Sequence, residues 1–248
     1  MARGGKKVIY VIGIGPGSTD YLSVKALNLI KNCEVVVGYK TYVNLIKQLL
    51  TNQQVFTTGM RGEVERCHKA LQLASLGKTV ALVSGGDAGV YGMAGLMNEI
   101  VIKQGSDIKV EVIPGITSAN AAAASLGAAL MHDYVTISLS DLLTDWDVIS
   151  KRLHCAGEGD FVVAIYNPKS KGRATHINKA QQILLQYKSP NTPVGIVRNA
   201  KRDQQEIEIT DLANMCECEI NMSTMVIVGN SKSYIHGNKL ITPRGYSY

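Results

Sequence analysis

The chain has 248 residues, 46% of them hydrophobic and 19% charged, with a formal net charge of +6. That composition excludes a disordered chain and allows a full core in one large domain or two small ones. The absence of any apolar run near the roughly 20 residues of a membrane helix argues against a membrane span, and the lack of basic tails or Arg-rich tracts argues against nucleic acid.

The basic segment Met1–Lys7 runs into a strand-like stretch rather than a signal-peptide apolar region, so a cytoplasmic protein is expected. Strand-like and helix-like segments then alternate: Lys7–Ile12, Ser23–Lys31, 34–37, Thr41–Leu50, Glu63–Ser75, 79–83, a glycine-rich turn with a helix to about Gln104, and Lys109–Ile113. This alternation predicts helices packed on a mostly parallel sheet. Pro114–Gly115 opens an alanine-rich helix, Thr117–Leu126. From Tyr134 the pattern restarts with strand Tyr134–Leu139, a helix around Trp146–Cys155, strand Asp160–Tyr166, helix Thr175–Tyr187 and strand 193–197. Glu206–Thr210, Thr224–Val228 and Tyr234–Thr242 follow as strands, the last with His236-Gly237-Asn238 as hairpin chemistry. The second half therefore reads as mixed or antiparallel, and the expected architecture is two α/β domains, 1–128 and 129–248.

Cys33, Cys67, Cys155, Cys216 and Cys218 form neither a disulfide framework nor a zinc set, and reduced thiols are expected. Residues 151–248 hold 13 Lys and Arg against 8 Asp and Glu, which suits a polyanionic ligand as well as an ordinary solubilising surface.

Three turns carry candidate chemistry. Gly13-Ile14-Gly15-Pro16-Gly17 follows a β-branched strand, but Pro16 removes a backbone donor and the next helix is delayed to Ser23. Both features depart from the dinucleotide phosphate loop. Ser84-Gly85-Gly86-Asp87-Ala88-Gly89-Val90 ends a buried strand and offers Asp87 either to a ligand's hydroxyl or amino groups or to the following helix as a cap. Pro114-Gly115-Ile116-Thr117-Ser118 sets two hydroxyls at a helix start.

Together these turns resemble the tetrapyrrole methylase family, whose members pair a GxGPG turn, a GGD turn and a PG-x-T/S helix start. Longer stretches resemble its C(17)-methylating subgroup: 37–42, 59–67, 131–134, 137–144, 166–173 and 194–200. Ala88 and Asn167, where much of the wider family has Pro and Met, fit that subgroup. The resemblance implies two α/β domains of the tetrapyrrole methylase type with an interdomain cofactor cleft, a homodimer, and an S-adenosylmethionine-dependent methyltransferase acting on a tetrapyrrole, with ring contraction, in cobalamin biosynthesis. It implies cofactor contacts at Pro16, Gly85, Gly86, Asp87, Val90, Thr117, Ser118, Asn167, Asn199 and Ala200.

An electron-rich ring carbon needs no enzyme nucleophile, but ring contraction needs proton movement. The candidates are His132, Asp133, Ser138, Ser140 and Asp141, each of which has capping a strand or helix end as its ordinary alternative. Lys40, Arg61, Lys169, Lys171, Arg173, Arg198 and Arg244 are candidates for the substrate carboxylates, because guanidinium forks match carboxylates. No metal ligands are expected. The competing readings are an NAD-binding dehydrogenase, a methylase of the same fold acting on another tetrapyrrole position or on RNA, and a non-catalytic binding module.

Overall fold

Val8–Gly13 (β1) has the sequence VIYVIG, and all of it but Tyr10 is buried, as a strand covered on both faces requires. In the computed structural model, which describes residues 8–247, β1 sits inside a five-stranded, wholly parallel sheet. Its partners are Val35–Tyr39 (β2), Gln54–Thr58 (β3), Val80–Ser84 (β4) and Lys109–Ile113 (β5), in the order β3-β2-β4-β1-β5. The helices Val24–Asn32 (α1), Lys40–Leu45 (α2), Glu63–Ser75 (α3) and Ala94–Lys103 (α4) carry the crossovers. Alternate residues feed two cores: Ile9, Val11, Val35, Val37 and Leu82 pack with α3 and α4, and Ile12, Val36, Ala81 and Val83 with α1 and α2. The chain leaves β1 toward β2 on one side and leaves β4 toward β5 on the other, so the winding reverses between β1 and β4. Ligands of open α/β sheets bind at the carboxyl ends of strands at such a reversal.

The second sheet has the order β10-β9-β11-β8-β7, built from Tyr134–Ser138 (β7), Val162–Tyr166 (β8), Pro193–Arg198 (β9), Glu206–Asp211 (β10) and Thr224–Val228 (β11). Only β7 and β8 pair in parallel; the other three pairings are antiparallel. Helices Trp146–Glu158 (α6) and His176–Leu184 (α7) cover one face, where Leu153, Ile177 and Leu184 meet Val163, Ile165 and Val226. A small third sheet joins Gly127–Ala128 (β6) to the hairpin Tyr234–His236 (β12) and Lys239–Ile241 (β13), whose turn has Gly237 at φ +57°.

The predicted class and sheet character hold in both halves. Edge strand β3 and the two-residue β6 were not anticipated: β3 is mostly exposed and lacks a clean alternation, and β6 is two small residues. The expected helix to Leu50 breaks after Leu45 into a short 3-10 turn, Lys47–Leu49. Of the first expected strand, Lys7 lies outside the described residues, as does the rest of the basic Met1–Lys7 segment. The chain parts into two compact units between Ser118 and Ala119, where the sequence suggests 128/129. The reason is helix Ser118–Leu126 (α5): Ala119, Ala122, Ala123 and Leu126 are buried against Val162, Ala164, Val197 and Ile227 of the second sheet. No helix among the described residues is long and apolar enough to cross a membrane.

Candidate functional site

In the first unit the three turns converge at the carboxyl ends of β1, β4 and β5. Gly13 aligns with Ser84, and Ile12 with Ile113. Past the strand ends Ile14 N–H donates to Ser84 O (2.9 Å), and Gly15 and Gly86 exchange two main-chain hydrogen bonds of 3.0 and 2.8 Å. Gly15 and Gly86 both have positive φ, +62° and +67°, so this bridge requires residues without a Cβ penalty. A Cβ on Gly13 would lie 2.7 Å from Gly86 O and 2.8 Å from Gly115 N. The turns are therefore packed main chain against main chain.

Asp87 ties two of them together. Its Oδ1 accepts from Gly89 N–H (2.7 Å) and its Oδ2 from Gly115 N–H (2.9 Å), linking the β4 turn to the β5 turn. Each carboxylate oxygen keeps a second acceptor site. Pro16 is buried, Val90, Thr117 and Ser118 are half-buried, and the Tyr42 ring lies over Gly85. The predicted cofactor residues of this unit thus form one cluster. It contains a single carboxylate and no basic side chain across 13–17, 84–90 and 114–118.

The second unit also gathers predicted residues at the carboxyl ends of its parallel pair. Asn167, at φ +50° just past β8, donates from Nδ2 to Ser138 Oγ (2.9 Å), and Ser138 Oγ also accepts from Ser140 N–H (3.2 Å). Arg173 donates to Asn167 O (3.1 Å), and its Nε stands 3.8 Å from Asp141. Asp141 is held from the other side by His176 Nε2 at 3.0 Å. The ring of His176 packs edge-on against Trp146, and its Nδ1 is buried with no hydrogen-bond partner. The sequence reading missed His176, because its link to Asp141 spans 35 residues and leaves no local signature. Asn199, at φ +49°, and Ala200 lie just past β9, half-buried.

Two expectations need correction. His132 and Asp133 do not join Ser138 and Asp141: they precede β7, whereas Ser138 ends it, and a strand of that length separates its ends by over 10 Å at about 3.3 Å per residue. His132 Nδ1 instead accepts from Asp133 N–H (2.8 Å). Arg198 does not present an open fork, because its guanidinium pairs with Glu206 on neighbouring β10 and with Glu219 at 2.6 Å. Register explains the first pair, since Arg198 and Glu206 are direct cross-strand neighbours. Of the other cations, Lys40, Arg61, Lys171 and Arg244 are exposed and Lys169 is half-buried. Arg61 has φ +64° in the turn between β3 and α3.

These features define a doubly wound methylase-type site, and the chain belongs to the tetrapyrrole (corrin/porphyrin) methylases, whose family model matches residues 8–216. It is 50% identical to the Salmonella typhimurium protein named "Probable cobalt-factor III C(17)-methyltransferase", over 97% of this chain and 100% of that relative. It is 51% identical, over 97% of its own length, to the "Cobalt-factor III methyltransferase" of Priestia megaterium, but spans only 45% of that longer protein. Among solved structures, the methyltransferase CobJ superposes with a TM-score of 0.89 at 32% identity, covering 95% of this chain and 99% of that one.

Proposed function

We propose that the chain transfers the methyl group of S-adenosylmethionine to C(17) of precorrin-3B, or of its cobalt-containing counterpart, with contraction of the macrocycle, in cobalamin biosynthesis. Similarity to the two C(17)- and cobalt-factor III methyltransferases supports the substrate class. The observation that carries the cofactor reading is the turn cluster at the reversal between β1 and β4. Its lining is main chain with one carboxylate, suited to a nucleoside bearing a cationic sulfonium. When bound, that cofactor supplies an activated methyl group.

A dinucleotide fits less well. A pyrophosphate needs a helix N-terminus directly after the glycine turn. Here α1 starts only at Val24, behind a 3-10 turn at Thr19–Tyr21, and its N-cap Ser23 is already used by Ala26 N–H (3.1 Å).

In this reading the cofactor residues are Pro16, Gly85, Gly86, Asp87, Val90, Thr117, Ser118, Asn167, Asn199 and Ala200. Lys40, Arg61, Lys169 and Arg173 take the substrate carboxylates, while Arg198, already neutralised by two glutamates, leaves that set. Ser138 and Asp141 are the groups offered for proton movement. Asp141 stands between Arg173 Nε and His176 Nε2, two contacts that fix where its carboxylate points. The reading also carries a cytoplasmic homodimer, which sedimentation at micromolar concentration checks.

The deciding experiment incubates the protein with S-adenosylmethionine and either metal-free or cobalt-containing precorrin-3 species, and follows the product by mass spectrometry. Gain of one methyl group with a ring-contracted spectrum is expected. No gain with either macrocycle, or thermal stabilisation by NADH but not by S-adenosylhomocysteine, overturns the reading.

A further inference from the structure

Arg66 is a charged residue in an apolar place. Only 4% of it is exposed, on a face of α3 shared with Cys67, Ala70 and Leu71. Its Nη1 donates to Thr58 Oγ1 (2.5 Å) and Gly59 O (3.1 Å); its Nη2 donates to Glu63 Oε1 (3.0 Å) and approaches Met93 Sδ (3.9 Å). The guanidinium also lies 6.0 Å from the centre of the Tyr39 ring. Nε has no partner.

As a stabilising device this is poor. Among the described residues the one carboxylate paired with the charge, Glu63, is 48% exposed, so the pair recovers little of the cost of burying a guanidinium that still lacks one hydrogen bond.

What the arrangement does is join segments. Thr58, Gly59 and Glu63 bracket the turn that carries Arg61, and Tyr39 is the residue before Lys40. Met93 ends the loop that begins at Asp87, and Tyr39 meets edge-on the Tyr42 ring that covers Gly85. One buried side chain therefore touches both segments bearing the first unit's candidate carboxylate-binding cations, and the loop leading out of the Gly85–Asp87 turn.

We infer that Arg66 is a positioning residue for the acidic substrate: it fixes Lys40 and Arg61 at a set spacing from the Gly85–Asp87 turn, and so determines how well a carboxylate-bearing ring is registered against the cofactor. This rests on the proposed substrate reading. Planarity matters to the role, since four Nη hydrogens diverge from one rigid group and a lysine cannot reproduce them.

The test compares Arg66→Met, which keeps an apolar stem of similar length, Arg66→Lys and Arg61→Met. Arg66→Met is expected to raise KM for the macrocycle about tenfold, with kcat and the Kd for S-adenosylhomocysteine within about twofold of wild type, and Arg66→Lys to recover part of the loss. Amide hydrogen exchange on the protein alone is expected to quicken in both 58–63 and 89–93 in Arg66→Met, while the β4 core stays protected. Unchanged exchange in either turn overturns the inference. So does a parallel rise in KM and cofactor Kd with a lowered Tm, which would mark a merely structural residue. If wild-type protein methylates no macrocycle, or Arg61→Met leaves KM unchanged, the substrate reading fails and takes the registration of substrate with it; the exchange measurement still decides whether Arg66 clamps the two turns.

Discussion

The carboxyl ends of the strands are made of different material in the two units. In the first, the turns after β1, β4 and β5 meet through main-chain groups, with Gly13, Gly86 and Gly115 in contact and Asp87 as the one charged side chain. In the second, the ends of β7 and β8 carry a run of contacts made mostly by side chains, from Ser138 through Asn167, whose main-chain O takes Arg173, to Asp141 and His176. A surface of main chain is rigid, tolerates no added atom and can approach a ligand closely. A surface of side chains adapts and can move protons. Under the proposed function, the two kinds of lining would serve different tasks, the first seating a cofactor and the second handling a substrate's protons.

The harshest way to break this contrast is to add one carbon to each surface. Gly13→Ala puts a Cβ against Gly86 O, Gly115 N and Ala88 N at 2.7, 2.8 and 3.0 Å, all main-chain atoms that cannot swing aside. A loss of about 3 kcal/mol in urea unfolding is expected, with S-adenosylhomocysteine binding abolished. In the second unit Gly172→Ala meets nothing within 4 Å and should change stability by less than about 0.5 kcal/mol. Equal losses at both sites would show that the first unit's turns are no more constrained than an ordinary loop.

Next in size comes Asp87→Asn. It sets an amide NH2 against one of two N–H donors now accepted by the carboxylate, at a cost of about 1–3 kcal/mol with weakened cofactor binding. Asp141→Asn is the counterpart in the second unit. With a 39% exposed side chain it should cost under about 1 kcal/mol in stability while lowering kcat.

The same contrast explains how much could be read in advance. Glycines that a backbone contact requires leave a local mark, so the three turns and the helix delayed past Pro16 were legible from the residues themselves. Asn167 and Asn199 carry no such local mark and were indicated only by the resemblance to the family. Partnerships across the sheet were not legible: the link from His176 to Asp141 spans 35 residues, and Arg198 meets Glu206 only because β9 and β10 pair antiparallel in one register. Grouping His132 with Asp141 failed for a related reason, since proximity in sequence ignores that a strand lies between them. Arg66 was not singled out at all, because a helical pattern gives no sign of a buried guanidinium when most of its partners, Thr58, Gly59 and Met93, come from outside the helix.

The thiols extend the comparison to pH. Burial pushes Cys67 up to about 12 and Cys33 up to about 11, against 9.0 for an ordinary thiol. Because the folded values are the higher ones, the unfolded chain loses these protons first. Stability from them is fully present below about pH 9 and is lost as pH rises toward 11–12. A fall of about 1 kcal/mol from each of the two thiols, about 2 kcal/mol together, is expected between pH 9 and 10. It should shrink in a Cys33→Ala/Cys67→Ala variant but persist in Cys155→Ala, which removes the exposed thiol of the second unit. Matching pH curves for all three proteins would mean the buried thiols are already accessible to hydroxide.

The smallest effect is expected at Arg198, and it sharpens the division most. Both carboxylates that hold its guanidinium are exposed, Glu206 by 61% and Glu219 by 75%, so their release into water leaves no buried charge behind. Arg198→Met should therefore lower stability by under about 1 kcal/mol. It should also leave KM for the macrocycle within about twofold of wild type, because a guanidinium neutralised by two glutamates has little attraction left for a substrate carboxylate. Arg61→Met, on an exposed turn that Arg66 holds from beneath, should raise KM clearly. A large KM increase in Arg198→Met would mean that substrate displaces Glu206 or Glu219 on binding. The side-chain surface of the second unit would then rearrange in the complex, while the main-chain surface of the first stays as built.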